Sequence, residues 1–92
     1  MKSVSIGHYC NSYKSKNPND IVVSIGELDI YFSYTTPVAF RSPEGGLTCR
    51  VNVWGPTTGK HLNAIEPDKS KRVPSEHFEN LLDNVLKLHG LA

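Results

Sequence analysis

The stretch IVVSIGELDIYFSY, residues 21–34, decides the fold class. Ile21, Val23 and Ile25 fall on one face of a β-rich run, and Gly26-Glu27 follows as a tight turn. Leu28, Ile30, Phe32 and Tyr34 then alternate with Glu27, Asp29, Tyr31 and Ser33. A period of two belongs to a strand with one face in a core and the other in water, so the stretch predicts a hairpin. Upstream, Val4 to Tyr9 reads as a short strand, and Cys10 to Asp20 as a solvated loop ending in the turn-forming Asn17-Pro18-Asn19-Asp20. Downstream, Thr35-Thr36-Pro37 interrupts the ladder because Pro37 has no N–H to donate, and Val38-Ala39-Phe40 resumes an extended run. Ser42-Pro43-Glu44-Gly45-Gly46 predicts a second hairpin, since paired glycines supply the positive φ such turns demand. Its return strand, Leu47 to Trp54, places Leu47, Cys49, Val51 and Val53 inward, with Thr48, Arg50, Asn52 and Trp54 on the other face.

The C-terminal segment changes period. Phe78, Leu81, Leu82, Val85 and Leu88 or His89 recur at helical spacing, forming one apolar stripe. Ser75 is a natural N-cap, Glu76 and Glu79 suit the positive end of the helix dipole, and Gly90 suits the C′ position. One helix on one sheet face accounts for a stripe this narrow. The expected fold is therefore α+β: an antiparallel sheet of four to five strands, ordered as a meander, with one C-terminal helix packed on one face. The expected organisation is a single domain over residues 1–92. Residues 1–20 form a strand and loop extension, 21–65 the sheet, 66–74 a charged linker and 75–90 the helix.

At 92 residues the chain has material for one domain and one modest core, because a chain this short hides only about two-thirds of its unfolded surface. Ten Lys and Arg against nine Asp and Glu leave a formal charge of +1, so no overall field drives it onto a polyanion. Neither an apolar h-region nor a run of about 20 apolar residues is present, which argues against a secretory signal and a membrane helix. Two cysteines, Cys10 and Cys49, are too few for a disulfide framework and are expected to stay reduced, in an intracellular setting, with a Cys10–Cys49 bridge as the alternative.

The segment Gly55-Pro56-Thr57-Thr58-Gly59-Lys60-His61 invites a phosphate-loop reading and fails it. Three residues, not four, separate its glycines, and His61 rather than Ser or Thr follows the Lys. What remains is a polar loop, Thr57 to Asn63, able to serve as an ordinary hairpin turn or to hold a phosphate or carboxylate through side chains and turn amides. His8, His61, His77 and His89 are scattered, and no G-x-S-x-G string or second metal-ligand pair accompanies them. Neither an enzyme, a metal site nor a cofactor is expected. The face carrying Tyr31, Arg50 and Trp54, bordered by Thr57, Thr58, Lys60, His61 and Asn63, is the candidate partner-binding surface, because Trp, Tyr and Arg are the side chains that most often anchor interfaces. The same aromatics beside cations suit a single-stranded nucleic acid as an alternative ligand, although Glu27 and Asp29 on that face would repel phosphates.

The string Tyr31-Phe32-Ser33-Tyr34-Thr35-Thr36-Pro37-Val38-Ala39-Phe40, then Trp54, then Thr57-Thr58-Gly59-Lys60-His61-Leu62-Asn63 and a helix opened by Phe78, resembles a family of small uncharacterised proteins found largely in phages and mobile elements. The resemblance covers about residues 28–82. It implies an accessory protein of the host cytoplasm, monomeric or homodimeric and without a membrane, that binds and modulates or inhibits a host protein or defence complex. It transfers no functional residue.

Overall fold

In the computed structural model, residues 3–10 and 19–91 are described. Five antiparallel strands run in chain order across one sheet: β1 (Val4–His8), β2 (Asp20–Ile25), β3 (Leu28–Ser33), β4 (Thr36–Ser42) and β5 (Gly46–Cys49). Helix α1 (Pro56–Ile65), a 3-10 turn (Lys69–Lys71) and helix α2 (Ser75–Leu88) follow. The meander and both expected hairpins are present. Gly26 and Gly46 hold positive φ at the β2–β3 and β4–β5 turns, where a side chain would be strained.

Alternation along β3 decides the layering. Leu28 and Ile30 join Phe40 of β4 against Phe78 and Leu82 of α2, with Phe32 and Val85 beside them. Tyr31 packs on the other cluster, in which Val38, Ala39 and Cys49 meet Leu62 of α1. Successive strand residues point to opposite faces, so the two helices cover opposite faces of one sheet. The expected single helix on one face is thus corrected to two, and the other face of β3, read as solvent-facing, lies largely under α1.

Five further expectations change. The predicted strand Leu47–Trp54 stops at Cys49. There Val73 donates to the Cys49 carbonyl (2.8 Å) and Val51 donates to the Val73 carbonyl (2.9 Å), so Arg50 bridges in parallel to Val73 and the chain leaves the ladder. Val53, expected inward, is exposed. The segment 57–63, read as a loop, is helical, because Pro56 starts α1 at a position where its missing N–H costs nothing. Asp20, read as the end of a solvated loop, is wholly buried at the start of β2, while residues 11–18 of that loop lie outside the described residues. Finally, the linker contains the 3-10 turn and a buried Arg72.

Helix α2 follows expectation more closely. Its N-cap is Pro74 rather than Ser75, whose hydroxyl is buried with no partner among the described residues. At the other end Gly90 has φ 72°. Leu91 donates to the Leu86 carbonyl (2.7 Å) and Gly90 to that of Lys87 (3.1 Å), the two hydrogen bonds of a Schellman stop. Cys10 and Cys49 are both free, and burial pushes the Cys49 thiol up to about 11. No helix among the described residues is long and apolar enough to cross a membrane.

Candidate functional site

Helix α1 presents Thr58, His61, Leu62 and Ile65 to the sheet at spacings of i, i+3, i+4 and i+7. Leu62 enters the core, while Thr58 and His61 meet Ser33, the last residue of β3. Ser33 Oγ lies 2.8 Å from His61 Nδ1 and 3.0 Å from Thr58 Oγ1. One arrangement satisfies all three groups: Thr58 donates to Ser33, and Ser33 donates to an unprotonated Nδ1. Burial lowers the His61 pKa from its ordinary value, against an opposing pull from the Asp20 carboxylate, and so supports the neutral ring. The rings of Tyr9 and Tyr34 lie 5.9 and 6.4 Å from the imidazole.

A hydroxyl on an imidazole is also the beginning of a nucleophilic site. Here, however, Ser33 and His61 are 3% and 4% exposed, and the buried Asp20 carboxylate accepts from the Cys10 amide (2.8 Å) and contacts His8 Nδ1 (3.0 Å). The triplet therefore fastens α1 to the end of β3. Tyr9 reinforces the same corner: its hydroxyl donates to the Phe32 carbonyl at 2.6 Å, and burial, then Asp20, holds its pKa well above the ordinary value.

Above this corner opens a cleft of about 200 Å³ lined by Ser33, Tyr34, Thr36, Val38, Trp54 and Thr58. Trp54 is 42% exposed, yet it is held from two sides. Its backbone N–H donates to Asn52 Oδ1 (2.9 Å), and the Arg50 guanidinium lies 4.8 Å from its ring centroid. Arg50 is buried between Trp54 and Phe78, with one nitrogen 3.5 Å from Glu79 and another donating to the Pro37 carbonyl. Tyr34 is half exposed and begins the two-residue β3–β4 turn with φ 59°, a left-handed conformation that bulky side chains rarely adopt. Its N–H donates to the Asn19 carbonyl (3.0 Å), which helps hold that conformation in place.

The structure divides the sequence-predicted surface. Trp54 stands at the cleft with Thr58 beneath it, and Arg50 supports Trp54 from below instead of facing solvent. Tyr31 is separated from them: it lies half-buried on the α1 face, its ring 5.3 Å from that of Tyr9. His61 is internal, Thr57 and Lys60 point outward from α1, and the Asn63 side chain accepts from Arg72. Sequence reasoning missed Ser33 and Tyr34. The signal for Tyr34 was present in the two-residue gap between β3 and Thr36, which demands a turn residue where the sequence supplies an aromatic ring.

Residues 4–80 match the model of a family of unknown function, DUF8033. The chain belongs to this family. The matched span starts at β1, well before the region near residue 28 where the sequence resemblance begins, and takes in every residue of the cleft. Neither curated proteins nor solved structures yield a match. Among the described residues of this DUF8033 chain, no group of three or more His, Cys, Asp or Glu is placed to hold a metal ion.

Proposed function

We propose that this chain is a non-enzymatic binding module that seats a side chain of a host protein or protein complex in the Tyr34–Trp54 cleft and so modulates or inhibits that partner. The observation that carries the reading is the pairing of two exposed aromatic rings, each immobilised at a cost. Trp54 rides on a buried guanidinium, and Tyr34 occupies a left-handed backbone position that costs about 1–2 kcal/mol for a residue with a side chain. Strain kept at an exposed aromatic is what a preorganised contact surface requires, and rigid Trp and Tyr are frequent interface anchors. The resemblance to phage and mobile-element proteins supports a partner from the host. A single-stranded nucleic acid is the weaker reading, because the cation nearest the rings, Arg50, is buried and already engaged with Glu79 and Pro37.

The test is capture from host extract at moderate salt with nuclease present, comparing the native chain with Trp54→Ala and Tyr34→Gly. Tyr34→Gly relieves the left-handed strain, so its melting temperature is expected to hold or rise while the captured protein is lost. Capture that survives both substitutions overturns the site. Capture that vanishes with nuclease, or oligonucleotide affinity that falls steeply between low and physiological salt, transfers the assignment to nucleic acid.

A further inference from the structure

On the other side of α1 lies a larger cleft, about 370 Å³, lined by Val51, Asn52, Gly59, Asn63, Lys69 and Arg72. Arg72 is 9% exposed, and its guanidinium is permanently charged. Its Nε and Nη2 donate to the Glu66 carbonyl (3.1 and 2.8 Å), and Nη2 also donates to Asn63 Oδ1 (2.9 Å). All of these acceptors are neutral. Among the described residues no carboxylate lies within 4.0 Å of Arg72, and Nη1 has no hydrogen-bond partner. A cation taken so far out of water without a direct ion pair is unusual, because the desolvation cost is ordinarily offset by one.

The rest of the lining has matching chemistry. Asn63 turns its oxygen to Arg72, which leaves its N–H groups available. Asn52 turns its oxygen to the Trp54 backbone N–H while one of its own N–H groups donates to the Gly55 carbonyl (3.4 Å), which leaves the second N–H for the cleft. The acceptors of both amides are thus used inside the protein. Lys69 adds a second positive charge at the same cleft. The neighbouring Asp68 carboxylate is engaged instead with the Ser70 N–H (3.0 Å) and hydroxyl (2.6 Å), and that engagement lowers its pKa. Gly59 lets the Asn52 amide approach α1, since a Cβ there would stand 3.2 Å from Asn52 Nδ2.

We infer that this cleft is an oxyanion site, selective for a compact phosphate group, in which Arg72 and Lys69 supply charge and the amides of Asn52 and Asn63 supply directed donors. The site stands independently of the Tyr34–Trp54 reading, with which it shares no lining residue.

The experiment is a 15N NMR titration of the full chain with inorganic phosphate at low ionic strength, with acetate as the comparison anion. Phosphate is expected to shift the Gly59 and Asn63 amides and the Asn52 side-chain resonances saturably, and acetate several-fold more weakly. Lys69→Ala is expected to weaken phosphate several-fold. Asn63→Asp keeps an oxygen for Arg72 but replaces the N–H donors with negative charge. It is expected to abolish phosphate binding and, by supplying the missing counter-ion, to raise the melting temperature. Shifts that do not saturate, or saturable binding that persists unchanged in both variants, overturn the site, and acetate binding as tightly as phosphate overturns the selectivity.

Discussion

His61 joins the fold to pH. Its ring is buried on Ser33, and burial lowers its pKa below the ordinary value of 6.5. Because the folded pKa is the lower one, the unfolded chain binds the extra proton first as pH falls below about 6.5. Stability is therefore complete above the unfolded value, declines on acidification through 6.5, and stops declining below the folded value. The expected outcome is a melting temperature lower at pH 5 than at pH 7.5. In His61→Gln, whose amide can still meet Ser33, that difference should shrink. An unchanged difference would mean that His61 titrates alike in both states.

The elements differ in how openly the sequence declares them, and α1 makes the reason visible. Its inner face follows the same spacing as that of α2, but two of its four inward positions, Thr58 and His61, are polar. An apolar stripe is not visible there, although the helical period is. Thr57, Thr58 and Gly59 are weak helix formers, and Pro56 reads as a terminator unless it is seen as a first helical residue. Tertiary contact, through Leu62 in the core and the bonds from Ser33, overrides that weak local preference. The hairpins were legible because their period and turn glycines agree. Tyr31 was misplaced for the same reason that α1 was missed, since a strand face looks solvated until the element covering it is recognised. The cleft was only half legible: Trp54 and Thr58 came from residue type, whereas Tyr34 needed its backbone angle. A propensity this poor leaves room for improvement. Gly59→Ala should gain up to about 1 kcal/mol from helix propensity. The new Cβ meets only the tip of the Asn52 side chain, which can move aside. A higher melting temperature by thermal denaturation is expected, and a lower one would show that the Asn52 approach cannot yield.

At the scale of the whole molecule, one sheet serves two cores. Leu62 belongs to one cluster and Phe78 to the other, and both are completely buried. Neither cluster is an independent unit, because β3 contributes alternate residues to each and β4 gives Val38 and Ala39 to one and Phe40 to the other, so neither strand can keep one face formed while losing the other. The segment between the helices adds a second tie: Val73 packs in the α2 cluster and bridges to Arg50 just beyond β5, which itself contributes to the α1 cluster. Truncation on either side should therefore destabilise both. Leu62→Ala is expected to cost roughly 2–5 kcal/mol and Phe78→Ala about 3–5 kcal/mol, the ranges for deleting fully buried side chains. More informative than the size of the loss is its shape. Trp54 fluorescence reports on the α1 side and far-UV circular dichroism on both helices, so in each variant the two signals should move together to a single lower midpoint. A Leu62→Ala chain that loses its Trp54 signal while α2 remains folded would separate the layers and show that the shared strands do not couple them.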